Sequence, residues 1–152
     1  MIRFALVLSI LLAAQASAGE LVRVIDGDTL KMGSDRIRLW GIDAPESRQK
    51  CRDGNGAAFT CGMVAGDVLR GLIGQVTPIC EMVERDRFGR IVARCQVGGL
   101  DLGAAMVAAG WAVDYERYSG GQYEAEEEAA KAAKRGLWAG RFVPLAKWRA
   151  TH

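Results

Sequence analysis

Apolar and polar residues alternate in part over residues 20–32, with Val22, Val24 and Leu30 as the inward positions of one bent strand. Gly33-Ser34-Asp35 is turn chemistry, and residues 36–42 read as a second strand. Residues 47–56 hold three basic residues, a cysteine and two glycines, and read as a mobile loop. Over residues 57–73 the apolar side chains Phe59, Met63, Val64, Val68, Leu69 and Leu72 share one helical face. Residues 76–84 and 90–97 form two strands of a hairpin around Asp86-Arg87-Phe88-Gly89. Residues 100–109 are a short Ala-rich helix ended by Gly110, residues 111–115 a last strand, and residues 123–135 a helix ended by Gly136. The Trp-rich tail, residues 137–148, is expected to pack back on the rest. No linker or repeat interrupts residues 19–152. Five short strands with about three helices predict one α+β domain, a small five-stranded Greek-key β-barrel.

The ends and the cysteines add a compartment. Arg3, the apolar run of residues 4–14 and Ala16-Ser17-Ala18 have the form of a cleaved signal peptide over residues 1–18, with Gly19 as the mature N-terminus. The run is shorter than the roughly 20 apolar residues a spanning helix needs, which disfavours an uncleaved anchor. The expectation is an exported protein, periplasmic or secreted, with no membrane association in its mature form. In an oxidising compartment the four cysteines Cys51, Cys61, Cys80 and Cys95 favour two disulfides. No C-x-x-C pair suggests a zinc ribbon or a thioredoxin site. A hairpin centred between Arg87 and Phe88 sets Cys80 opposite Cys95, where Cβ atoms lie about 4.5–5.5 Å apart. That leaves Cys51 to close a loop with Cys61.

Charge and histidine content narrow the chemistry. The formal net charge is only +2, so nucleic-acid binding has to rest on local clusters. The one histidine is His152. Imidazole-built zinc hydrolases and Ser-His-Asp triads are therefore excluded. Carboxylates, arginine, lysine and a hard metal remain.

Three segments carry such groups. Asp26-Gly27-Asp28-Thr29 sets two carboxylates beside a glycine, as a turn or as a bulge within a strand. Arg38 to Glu46 runs Arg-Leu-Trp-Gly-Ile-Asp-Ala-Pro-Glu, and Asp28, Asp43 and the Ala44 carbonyl would suit calcium if the strands are neighbours. Glu84-Arg85-Asp86-Arg87-Phe88-Gly89-Arg90 is a hairpin tip with three arginines, whose planar forks suit phosphate. Taken singly, each segment reads first as an ordinary surface turn.

Taken together, Asp-Gly-Asp-Thr, Arg-x4-Asp-x-Pro-Glu and Asp-Arg-x-Gly-Arg, in that order, resemble the staphylococcal nuclease family over about residues 20–138. The resemblance implies an OB-fold-like barrel and calcium-dependent hydrolysis of phosphodiester bonds in DNA and/or RNA, with 3′-phosphate ends. It implies that Asp28, Asp43 and the Ala44 carbonyl bind Ca2+, Ala44 standing where the family has threonine. Asp26 and Thr29 take supporting positions behind them. Arg38 and Arg90 match the phosphate-binding arginines, and Glu46 the proposed general base. Arg87, Tyr118 and Tyr115 fall near positions that contact substrate, although these tyrosines equally suit a role covering the barrel. Arg48, Lys50 and Arg52 read as an electrostatic lip beside Glu46. A monomer is expected.

Two other readings compete: a non-catalytic OB-type module that binds nucleic acid or protein, and a secreted module whose calcium serves only stability. The first would require loss of catalytic residues, and none of the motif positions is lost.

Overall fold

The computed structural model describes residues 22–152, so the leader expected at residues 1–18 lies outside the described residues. In chain order the strands are β1 (Val22–Asp26), β2 (Thr29–Met32), β3 (Asp35–Leu39), β4 (Ile42–Asp43), β5 (Cys51–Arg52), β6 (Ala58–Phe59), β7 (Ile79–Arg85), β8 (Ile91–Val97), β9 (Leu100–Asp101) and β10 (Val113–Asp114). The helices are α1 (Cys61–Ile73), α2 (Leu102–Ala108), α3 (Glu116–Ser119), α4 (Glu124–Ala132) and α5 (Leu145–Thr151). The main sheet runs β1-β2-β3-β8-β7, with β9 added to β8. All its pairings are antiparallel except β3 with β8. The architecture is thus mixed α and β. Among the described residues the ladder ends at β1 and at β7, with no pairing between them.

Several elements depart from the periodicity. Residues 20–32 are not one bent strand. β1 and β2 fold on each other as a hairpin, with Gly27 and Asp28 as its turn and a register shift between Val24 and Asp26. A glycine flanked by two aspartates is turn chemistry, and here it prevails over the strand pattern around it. The last expected strand shrinks to β10, which pairs with β4, and the expected mobile loop contributes β5 to a small pair with β6. Three of the five helices match the expected ones, while α3 and α5 are short additions.

The face of α1 is also rotated from the expected one. Cys61, Ala65, Leu69 and Ile73 are its buried row at i, i+4 spacing, and Met63 is exposed. The small residues Cys61, Gly62, Ala65 and Gly66 lie on the inner face of the first two turns. They let the helix backbone approach the β1–β2 turn closely. A Cβ on Gly27 would lie 2.8 Å from the Cβ of both Ala44 and Ala65, so only glycine fits between them. This contact joins the first acidic segment to the second.

α1, α2 and the inner sheet face enclose the main core, with Leu30, Leu39, Ile42, Leu69, Leu102 and Met106 almost wholly removed from water. Asp101 caps α2, accepting from the Ala104 N–H at 3.1 Å. A second cluster gathers Cys51, Cys61 and Leu137 with Phe59, Trp111 and Phe142, so the tail does pack back on the domain. Both expected disulfides form: Cys51–Cys61 and Cys80–Cys95, with Cα separations of 5.6 and 4.1 Å. Cys80 faces Cys95 in the β7–β8 register, as the hairpin predicts. Among the described residues no helix is long and apolar enough to cross a membrane.

Candidate active site

β3 alternates Ile37 and Leu39 into the core with Arg38 toward the opposite side. Its register with β2 sets Arg38 across from Thr29, next to the β1–β2 turn. Arg38 Nη1 lies 3.0 Å from both carboxylate oxygens of Asp28. Arg38 Nη2 donates to Asp43 Oδ1 and to the Ile42 carbonyl, each at 3.2 Å. One guanidinium therefore ties the two buried aspartates together. Burial works against its charge, but Asp28 and Asp43 more than offset that and raise its pKa.

Asp28 is further held in place. The Thr29 hydroxyl donates to its Oδ1 at 2.9 Å, and the Ala44 N–H donates to its Oδ2 at 3.1 Å. Asp26 accepts the Asp28 N–H at 3.1 Å and so fixes the turn. Asp26 and Thr29 thus stand directly behind Asp28. Burial nevertheless pushes the Asp28 carboxyl up to about 7; Arg38 draws it down, while Asp26 and Asp43 add to the rise.

Asp43 reaches the same point from β4, whose short pairing with β10 fixes its direction. It also receives Arg149 from α5, Nη1 to Oδ1 and Nη2 to Oδ2, each at 2.8 Å. Arg149 Nη1 lies 3.5 Å from Glu46 Oε1. Glu46 is half-buried on the loop after Pro45. A Cβ on Gly62 would fall 1.8 Å from the Glu46 carbonyl oxygen, so the start of α1 packs directly against the Glu46 backbone.

Asp86 builds the hairpin tip that carries Arg90. Its carboxylate accepts the Phe88 and Arg90 N–H groups at 2.9 and 3.0 Å and Arg90 Nε at 2.7 Å. Although burial opposes this, the bonds from Arg90 and Phe88 hold its pKa below the usual carboxylate value. Because β8 runs parallel to β3 with Val92 beside Arg38, Arg90 enters on the same sheet face as Arg36 and Arg38.

Arg38, Glu46, Arg87, Arg90, Tyr115 and Tyr118 all line one open cleft of about 1110 Å³. Tyr115 and Tyr118 meet edge to face at 4.8 Å between ring centres, and Tyr118 is half exposed. Seven arginines line the cleft (Arg36, Arg38, Arg85, Arg87, Arg90, Arg117 and Arg149) against the carboxylates of Glu46, Glu84 and Asp86. This local excess of positive charge is invisible in the net charge of +2. Arg48, Lys50 and Arg52 are exposed and are not among the side chains that line this cleft. Arg52 Nη1 donates to the Gly56 carbonyl at 2.8 Å.

Among the described residues no group of three acidic, histidine or cysteine side chains is set to hold a metal. Two buried carboxylates that converge on one arginine, one of them also drawing in a second arginine, still make a cation-seeking oxygen site. Its donors are all oxygen, which suits a hard cation completed by carbonyl and water ligands.

Residues 36–140 match the family described as Staphylococcal nuclease homologue. An uncharacterized endonuclease of Escherichia coli is 34% identical over 138 residues, covering 86% of this chain and 84% of that protein. The succinoglycan biosynthesis protein ExoI of Rhizobium meliloti (strain 1021) is 34% identical over 140 residues, covering 88% of this chain and 73% of that protein. The probable endonuclease LCL3 of Schizophyllum commune (strain H4-8 / FGSC 9210) is 32% identical over 127 residues, 72% of this chain and 42% of that protein. The chain belongs to the staphylococcal nuclease homologue family, and so to the nucleases, enzymes that hydrolyse phosphodiester bonds.

Proposed function

We propose that the protein is a calcium-dependent endonuclease that acts on DNA and/or RNA and leaves 3′-phosphate ends. The observation that carries this reading is the convergence of Asp28, Asp43 and Arg38, with Arg90 and Glu46 on the same cleft. Endonuclease names among the relatives support it. The sheet order β1-β2-β3-β8-β7, with its single parallel pair, supports an OB-type barrel as the scaffold.

Asp28, Asp43 and the Ala44 carbonyl would hold calcium. When bound, the ion would supply Lewis-acid charge that offsets the phosphate's negative charge. Arg38 presents its guanidinium at the cleft wall and stabilises negative charge that builds on the phosphate. Arg90, aligned by Asp86 through Nε, keeps both Nη groups for a second phosphate oxygen. Glu46 accepts the proton from the attacking water as its oxygen bonds to phosphorus, the P–O5′ bond breaks, and the leaving 5′ oxygen takes a proton from solvent in the open cleft. Tyr115 and Tyr118 stack a base without reading its identity. Arg87 adds a sequence-neutral phosphate contact. The two disulfides support export to an oxidising compartment, periplasmic or extracellular.

End-labelled DNA and RNA incubated with calcium or with a chelator test the reading. Fragments that a 3′-phosphatase converts to 3′-hydroxyl, formed only with calcium, are expected. Equal cleavage in the chelator, or 5′-phosphate ends, would refute it.

A further inference from the structure

Arg149 occupies the acidic pair from outside all three sequence motifs, and the proposed calcium site makes its position consequential. Asp43 Oδ1 accepts from both Arg38 and Arg149, and Oδ2 accepts from Arg149. Each carboxylate oxygen offers about two lone-pair directions, so Oδ1 is full. A cation that takes up Asp43 Oδ1 must displace one arginine, while Oδ2 accepts from Arg149 alone.

The two are not equally held. Arg38 belongs to β3 and is also bonded to Asp28 and to the Ile42 carbonyl. Arg149 has one other partner, Glu46, at the longer distance of 3.5 Å. Its helix, α5, has seven residues and buries only Leu145. A helix that short is marginal without packing. The segment before it is tethered by the paired backbone bonds of Arg52 and Arg141, at 2.8 and 2.9 Å, and by Gln49 Nε2 donating to the Val143 carbonyl at 3.1 Å, all upstream of α5 itself. Displacing Arg149 therefore costs far less than displacing Arg38. Charge points the same way, since a divalent ion beside two arginines would over-neutralise Asp28 and Asp43.

We propose that α5 is an autoinhibitory element that places Arg149 on Asp43 and Glu46 as an internal counter-cation, and that the metal must expel it to enter. This rests on the calcium reading given above. The closed form leaves two carboxylates of the site masked, one proposed to bind metal and one to activate water. If the site is free of Arg149 about one tenth of the time, the apparent affinity for metal is lowered about tenfold.

Titration calorimetry with calcium alone, without nucleic acid, compares the wild type with Arg149→Gln. Glutamine keeps the length and polarity of the side chain and removes its charge, and the mainly exposed α5 tolerates it. Circular dichroism verifies that both chains are folded. The variant is expected to bind calcium about tenfold more tightly. Equal or weaker binding by the variant overturns the proposal while leaving the calcium site standing. Binding by neither chain overturns both.

Discussion

Arg149 Nη2 lies 2.8 Å from Asp43 Oδ2, across 106 residues of sequence. With Arg38 on the other side, Asp43 is held between two guanidinium groups of unlike anchorage. The contact joins the C-terminal helix to the acidic site and divides the cleft's arginines by task. On the function proposed above, Arg38 is structural as well as catalytic, Arg90 is positioned by a surface turn, and Arg149 is the arginine that the metal displaces.

That division predicts different costs for the two phosphate-facing arginines. Arg90→Ala should lower the cleavage rate by about 10²–10⁵. Its stability cost should stay near 0–1 kcal/mol, because its ion pair with Asp86 sits on a partly exposed turn. Arg38→Ala should lower the rate comparably and also destabilise the fold by about 3–5 kcal/mol, since it strands buried carboxylates. Paired kinetics and urea unfolding separate the two; equal stability loss would contradict the account.

The raised Asp28 pKa sets a sign for pH. In chelator, the folded state keeps the Asp28 proton up to about pH 7, whereas the unfolded chain releases it near 3.8. The folded state thus binds more protons in that window, and the Asp28 contribution to stability falls as pH rises from about 4 to about 7. Asp28→Asn should flatten this part of the profile. Calcium needs the ionised carboxylate, so its stabilising effect should grow over the same window and level off above pH 7. Thermal melts across pH, with and without calcium, measure both slopes.

Two glycines offer a matched comparison. Gly27→Ala pushes a methyl into Ala44 and Ala65, and should cost about 1–3 kcal/mol while displacing Asp28. A Cβ on Gly71, in the interior of α1, meets nothing within 4 Å. Gly71→Ala should therefore stabilise by about 0.5–1 kcal/mol. Denaturant midpoints that moved the same way for both would contradict the close-approach argument.

Removing the Cys80–Cys95 bridge as the double alanine variant should cost about 3 kcal/mol, the value expected for a loop of its 15-residue separation. The bridge lies at the far end of the hairpin from Arg90. The catalytic rate at low temperature should then change little, which activity assays on the folded variant would check.

The sequence was most readable where chemistry and geometry are local. The Cys80–Cys95 pairing follows from a hairpin centre counted in residues, and the end of α2 follows from Gly110, whereas α4 stops at Ala132, short of the expected Arg135, with Lys134 rather than Gly136 as the left-handed residue after its cap. Glycine between two aspartates had two local meanings, strand bulge or turn. The choice depended on close packing against Ala44 and Ala65, which no periodicity encodes. Met63 shows the same limit: its spacing suits a buried face, but the small residues of α1 define a different one. The grouping of Arg38, Glu46 and Arg90 was accessible through motifs. Arg149 was not, because it sits next to Trp148 in a tail read only for its aromatics. Arg36 and Arg117 were missed as well, since their clustering with the hairpin-tip arginines arises from sheet register and a turn rather than from adjacency.

The central claim is that Arg38 and Arg90 act on phosphate at a calcium-dependent site. Its most direct test is the initial rate of plasmid DNA cleavage by the wild type and by the Arg38→Ala/Arg90→Ala double variant, each in calcium and in chelator. Rapid cleavage only by the wild type in calcium is predicted. Undiminished cleavage by the folded double variant, or by the wild type in chelator, would contradict it.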